Sequence, residues 1–245
     1  MSSRLSFWRK EQEATQEPHK RGGSLSDFIL GAQDGLVNVL GVILGVAIAS
    51  QDLRIILVAG LAATFAESIS MGAVAYTTTL ARRDHYRAEE ANELREMREI
   101  PDDERKEVRT ILAGWGYEGK ELDEMVERIT SKEKAWLEIM MAHELKLAPV
   151  EDAAPKRSAL IVGVSAIVGS LVPLAPFLVP GFAILNQIIA SLVASAAVLF
   201  AIGFYKAKST VGSPGKSGVQ MAIIGIASAL AGFAIGFLLS PGTPL

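Results

Sequence analysis

Apolar residues gather into five runs without Lys or Arg, at positions 28–50, 55–81, 158–179, 181–205 and 218–239. About 20 apolar residues in a helix cross a hydrocarbon core about 30 Å thick, so each run is long enough to span a bilayer. The third and fourth runs meet at Pro180 and Gly181. Together they are too long for one span, and the Pro-Gly pair predicts a tight hairpin between two helices. The pattern is that of an all-α, polytopic membrane protein with five transmembrane helices.

Between the second and third runs lies a polar block, residues 82–155. Positions 73–100 contain neither Pro nor Gly, so the second span is expected to continue as one helix up to Pro101. A second helix is predicted from PDDERKEV, with Pro101 and Asp102 or Asp103 as start signals, ending near Gly114. A third covers SKEKAWLEIMMAHELKL, with Ser131 as cap and Pro149 beyond its end. The block therefore reads as a three-helix insertion. The expected organisation is a mobile tail at 1–24, spans one and two at 25–81, the insertion at 82–155, and spans three to five at 156–245.

Charge orients these elements. Arg4, Arg9, Lys10, Lys20 and Arg21 precede the first span, and Lys206, Lys208 and Lys216 lie between the fourth and fifth. The other side carries only the QDLR turn, the Pro180-Gly181 hairpin and the tail PGTPL. Basic residues concentrate on cytosolic loops, so the N-terminus and the insertion are expected in the cytosol and the C-terminus outside. The first 25 residues are polar and lack the apolar core of a cleavable signal peptide. Within 82–155 there are 20 Asp or Glu and 13 Lys or Arg, a balance of −7. An acidic polar domain suits cations and argues against nucleic acid. The chain has no cysteine, which excludes disulfides, thiolate metal sites and a cysteine nucleophile.

Two carboxylates sit inside spans: Asp34 in ILGAQDGLVN and Glu67 near the middle of the second run, with no Lys or Arg inside any span to pair them. A buried charge at such depth costs about 2.5–3.5 kcal/mol even on the lenient insertion scale. Each acid must be protonated, hydrated or neutralised by a cation. A protonated acid that merely hydrogen-bonds a neighbouring helix is the structural alternative. Asn38 lies at i+4 from Asp34, with Gly41 and Gly45 continuing that face and allowing a helix or an ion to approach. Met71 lies at i+4 from Glu67. Oxygen and thioether ligands together suit a borderline ion such as Fe(II) better than Mg or Ca, although a methionine alone is commonly packing.

The insertion offers a second constellation. Glu89, Glu93 and Glu96 follow i, i+4, i+7; Glu104 and Glu107 are i, i+3; Met140 and Glu144 are i, i+4. Arg95, Arg98, Arg105 and Lys106 are interleaved, so an ordinary surface of solvated ion pairs explains the spacing equally. His19, His85 and His143 lie outside the spans, and neither GxSxG nor HExxH occurs, so the sequence points away from an enzyme.

SDFILGAQDGLVN, ESISMGAVAY, DHYRAEEANELREMREIPDDERKEVRTIL, AWLEIMMAHELKL and VGSLVPLAPF, in this order from about Ser26 through the fifth span, resemble the vacuolar iron transporter family. The resemblance implies a homodimer of five-helix subunits that moves Fe(II), often also Mn(II), out of the cytosol in exchange for protons, with no prosthetic group. It implies that Asp34 and Met71 line the path and that Glu93, Glu96, Glu104, Glu107, Met140 and Glu144 bind metal on the insertion. Some members carry an acid two turns before the SMG methionine, where this chain has Ala63; here the acid is Glu67. The partners expected are divalent transition-metal ions, the lipid bilayer and a second copy of the chain. The expected location is the cell membrane of a prokaryote, or a vacuolar membrane in a eukaryote. The competing class is a membrane-anchored metal sensor or buffer without transport. Gly225, Ala229, Gly232 and Gly236 favour close packing of the fifth span, within a subunit or between subunits.

Overall fold

The computed structural model describes residues 22–209 and 212–239. The expected tail at 1–24 and the PGTPL segment lie almost wholly outside the described residues. In chain order the helices are α1 (Gly22–Ser50), α2 (Leu53–Glu99), α3 (Pro101–Gly114), α4 (Gly119–Thr130), α5 (Glu133–Ile139), α6 (Ala154–Leu174), α7 (Ile184–Ser209) and α8 (Pro214–Leu238). A π-helical turn, Met140–Glu144, follows α5, and a 3₁₀ turn, Ala175–Leu178, follows α6. The described residues contain no strand. Helices α1, α2, α6, α7 and α8 are long and apolar enough to cross a membrane. The protein is an all-α polytopic membrane protein.

The chain divides into two compact units, one built from residues up to Val74 and from Ser158 onward, the other from Ala75–Arg157. In the first unit α1 is central. Leu36, Val39, Leu40, Ile43, Leu44 and Ala47 are all buried, so its surface is covered on several sides. Helix α2 instead turns Ile55, Val58, Leu61, Phe65 and Ile69 outward. Large apolar side chains on the outside are what a lipid solvent accepts, while helical backbones satisfy their own polar groups. Between α1 and α2 the turn is short. Gln51 takes a left-handed φ of 53°, and the Asp52 carboxylate accepts the backbone N–H groups of Arg54 (2.7 Å) and Ile55 (3.2 Å), capping α2.

Glycine sets the approach of α1 to two neighbours. A Cβ placed on Gly35 would lie 2.3 Å from the Ala166 carbonyl oxygen of α6, and one on Gly232 of α8 would lie 2.0 Å from the Gly41 oxygen. At both places backbone rests on backbone. Gly41 and Gly45, expected to leave room for a helix or an ion, are thus occupied by α8. The small residues of the fifth span are used within the chain: Gly232 and Gly236 meet Gly41 and Gly45, and Gly225 meets Leu199 of α7. Gly232→Val is expected to lower stability by about 1–3 kcal/mol, the usual cost of overpacking, because the added side chain would meet only the Gly41 main chain, which cannot lean away. Thermal unfolding of the detergent-solubilised chain measures it, with Ile224→Val on the exposed face of α8 as the neutral comparison.

The prolines of VPLAP end α6. Pro173 lies inside its last turn, the helix tightens to 3₁₀ at Ala175, and Gly181 takes φ 87° in the hairpin. The fourth span begins at Ile184, three residues after the expected Gly181.

The second unit differs from the three-helix reading in three ways. A further helix, α4, occupies residues left unassigned; Leu122, Met125, Val126 and Ile129 form its buried stripe. Ser131 ends α4 rather than starting α5, since its hydroxyl donates to the Arg128 carbonyl at 2.9 Å. Asp102 and Asp103 make no side-chain cap; Ile100 holds the N-cap position of α3, Pro101 starts it, and both aspartates sit in its first turn. The core of this unit is Met97, Val108, Leu112, Leu122, Val126, Trp136, Ile139 and Met140.

Candidate metal site

The C-terminal part of α2, the start of α3 and the π turn each deliver one glutamate to a common point. Glu93, Glu104 and Glu144 each offer a carboxylate oxygen, and these oxygens lie within 4.8 Å of one another. Each arrives for a local reason. Glu93 shares the α2 face with Met97, whose burial turns that face toward the core. Glu104 is one turn before Val108 and is drawn inward with it. The chain winds five residues into the turn after Ile139, with the Leu145 N–H donating to the Met140 carbonyl at 3.1 Å. Such π turns recur at functional sites because the wider turn re-aims side chains.

Glu93 and Glu104 are each only 3% exposed, and an oxygen of each, Glu93 Oε1 and Glu104 Oε2, is buried with no hydrogen-bond partner. Burial raises the Glu93 pKa to about 8, helped by its hydrogen bond to Glu104 and by the fields of Glu104, Glu144 and Glu96. Burial also raises Glu104, against the opposing effect of its bond to Glu93 and with the fields of Glu107, Glu96 and Asp103. Glu144 is pushed up to about 7 by desolvation of its carboxyl, then by the charge of Glu107 and a hydrogen bond to it, and by Glu104 and Glu96. Glu96 and Glu107 thus border the trio.

The interleaved basic residues do not neutralise this cluster. Arg98 pairs with Glu133 (3.8 Å), Arg105 with Asp102 (3.1 Å), Lys106 with Asp103 (2.6 Å), and Arg109 with Asp123. Among the described residues none of Glu93, Glu96, Glu104, Glu107 and Glu144 forms an ion pair with Lys or Arg. The surface-pair reading therefore holds for the aspartates and fails for these glutamates. Carboxylates brought together without a counter-charge fit a hard or borderline divalent cation. Lys106→Ala removes only an exposed pair, worth about 0.2–1 kcal/mol, so metal affinity measured by calorimetric titration is expected to change less than about fivefold.

Two predicted ligands are placed differently. Glu89 pairs with His85 at 3.6 Å. Met140 is fully buried in the apolar core, at the first position of the turn that ends with Glu144.

In the first unit the structure joins two acids that the sequence shows far apart. The Glu67 carboxyl on α2 is within hydrogen-bonding reach of Asp34 and of the Asn38 side chain on α1. No Lys or Arg lies in either apolar stretch around them. Two facing carboxyl groups with no basic partner form a site that a divalent cation would neutralise. Met71 is half-buried one turn beyond Glu67, and Ala63 packs at the edge of the apolar core one turn before it. The pairing of Glu67 with Asp34 was outside the reach of spacing rules, which act within one helix.

The VIT family model matches residues 25–237 of this chain. Vacuolar iron transporter 1 of Eucalyptus grandis is 32% identical over 229 residues, covering 91% of this chain and 92% of that protein. Vacuolar iron transporter 1 of Oryza sativa subsp. japonica is 35% identical over 211 residues, covering 86% and 83%. Vacuolar iron transporter of Toxoplasma gondii is 27% identical over 245 residues, covering 96% and 81%. The match takes in all five long helices and the glutamate-bearing unit between the second and third, and this chain belongs to the VIT family.

Proposed function

We propose that this protein exports Fe(II), and also Mn(II), from the cytosol across its membrane in exchange for protons. The observation that carries the reading is the Asp34–Glu67 pair, an acidic site within the apolar helices with no basic partner. A divalent cation bound there is neutralised by two carboxylates, and the same two groups are neutralised by protons when the metal leaves. Competition for one site couples the two flows, because the empty and doubly charged state is the costly one. Met71, one turn from Glu67, adds a soft ligand that favours Fe(II) over Mg or Ca. The trio Glu93, Glu104 and Glu144, with Glu96 and Glu107 beside it, gathers metal on the cytosolic side. We take the N-terminus and the glutamate unit as cytosolic, the cell membrane as the location, and a homodimer as the working form. Catalytic turnover of a substrate is no part of this reading.

A second reading, a membrane-anchored metal buffer, draws support from the glutamate trio lying in a compact unit of its own. Metal entry into proteoliposomes with and without a pH gradient separates the two. Antiport predicts flux that follows the gradient; binding without flux, or flux indifferent to the gradient, overturns it.

A further inference from the structure

Buried hydroxyls of the first unit fall into two groups. Thr64 and Ser68 donate to the carbonyls one turn back on α2, at 2.8 and 2.6 Å, and Ser165 donates to the Val162 carbonyl at 3.0 Å. Backbone of the same helix is the ready partner for a hydroxyl in an apolar setting. Ser170 Oγ on α6, beside Gly35, has no hydrogen-bond partner, and helix α7 departs from the pattern along a whole face. Gln187, Ser191 and Ser195 recur at i, i+4, i+8, so they share one face, and they are 3%, 0% and 0% exposed. Ser191 crosses to the Pro173 carbonyl on α6 at 2.8 Å. Gln187 uses its amide N–H on the Val179 carbonyl, leaving Oε1 without a partner, and Ser195 Oγ has none.

An unsatisfied buried polar atom costs about 1–3 kcal/mol, and internal water is the usual way such groups are satisfied. An entrance is present. A cavity of about 370 Å³ at the hairpin end of α7 is lined by Val179, Phe182, Asn186 and Gln187, so the first rung of the ladder faces it. From Gln187 to Ser195 is about 12 Å along the helix, a length that roughly four hydrogen-bonded waters bridge.

We propose that the Gln187, Ser191 and Ser195 face of α7 holds a file of internal water, entered from the cavity at the hairpin and reaching the middle of the bilayer. The file supplies a route within one subunit by which protons enter from the hairpin side toward the middle of the bilayer. Its existence rests on the orphaned polar groups and the cavity; its use for protons rests on the antiport reading.

The absence of cysteine makes the test direct, since an introduced thiol is the sole one in the chain. Gln187→Cys, Ser195→Cys, Leu192→Cys, Val193→Cys and Phe182→Cys are made in the full-length chain in lipid vesicles. Silver ion, small enough for a narrow file and in need of water, is added outside, and thiols left unreacted are counted after denaturation with a maleimide. Phe182→Cys, in the exposed hairpin, reads the fraction of molecules whose hairpin faces the ion. Within that fraction, Gln187→Cys and Ser195→Cys are expected to react at least about tenfold faster than the packed Leu192→Cys and the outward Val193→Cys, because thiol reactivity follows access of water to the sulfur. Ser195→Cys reacting no faster than Leu192→Cys overturns the file. Should that variant not fold, Ser191→Cys, one turn beyond the cavity, against Leu192→Cys decides between the same two outcomes. Wild-type metal flux indifferent to a pH gradient would sink the antiport reading alone and leave the labelling pattern standing.

Discussion

Asp34→Asn is expected to reduce metal flux into proteoliposomes by about a hundredfold, although the amide preserves the size of the side chain and a hydrogen bond to Glu67. The expectation follows from charge. A divalent ion between Asp34 and Glu67 is neutral as a unit; with one carboxylate removed, a net positive charge stays in the apolar helices. On the lenient insertion scale that residue of charge costs about 2.5–3.5 kcal/mol, which at about 1.4 kcal/mol per decade is roughly two orders of magnitude in occupancy. Glu67→Gln meets the same argument from the other side of the pair and is expected to lose a comparable amount, with Asn38 still present as a neutral neighbour. Flux of Fe(II) under anaerobic conditions, driven by a pH gradient, measures both. Wild-type rates in Asp34→Asn would show that the pair is a structural hydrogen bond and that metal crosses elsewhere.

Metal binding to the glutamate trio is expected to strengthen by on the order of a thousandfold between pH 6 and pH 8. Glu93, raised to about 8, and Glu144, raised to about 7, hold protons over this window in the metal-free protein, and a cation must displace them. Each displaced proton contributes about a tenfold change per pH unit until its own pKa is passed. The same shifts act oppositely on the stability of the metal-free chain. An acid whose pKa is higher folded than unfolded keeps its proton in the fold, so stability is greatest below the unfolded value and falls as pH rises through the folded one. Metal replaces the lost protons and reverses the fall. Glu93→Gln separates the two effects: affinity drops at least about tenfold and loses much of its pH dependence, while the metal-free protein becomes less sensitive to alkaline pH. Titration calorimetry and thermal unfolding on the full-length protein in detergent read the two. Affinity flat with pH, together with unchanged binding in Glu93→Gln, would remove the trio from the metal path.

The five long helices were legible because membrane spanning demands length and apolarity at once, and residues 28–50 or 218–239 admit no other reading. Helix α4 was not, because it is 12 residues long and its four apolar positions lie among Lys120, Glu121, Asp123, Glu124, Glu127 and Arg128. The stripe Leu122, Met125, Val126, Ile129 was the signal that could have found it. In the trio, spacing nominated Glu89, Glu93 and Glu96 alike, and tertiary packing of Met97 selects Glu93. Sequence spacing cannot tell ordinary surface ion pairs from a metal site here, for a physical reason. Arg109 finds Asp123 and Arg98 finds Glu133 across helix boundaries, where i, i+4 rules have no force. The π turn that carries Glu144 is a property of the backbone and has no residue signature of its own.

The glycine contacts of α1 bear on how such a molecule moves. Where carbonyl meets glycine backbone there is no flexible side chain to lean or repack, and a shift of α1 by one helical turn, about 5.4 Å, toward its N-terminal end would carry Val39 to the place of Gly35 and set the Gly41 oxygen over Ser228 instead of Gly232. Sliding of α1 in that direction is therefore opposed at both seams, whereas a shift of one turn toward its C-terminal end would put Gly31 where Gly35 stands and the Gly41 oxygen over Gly236, so a displacement of α1 is expected to have one permitted sense.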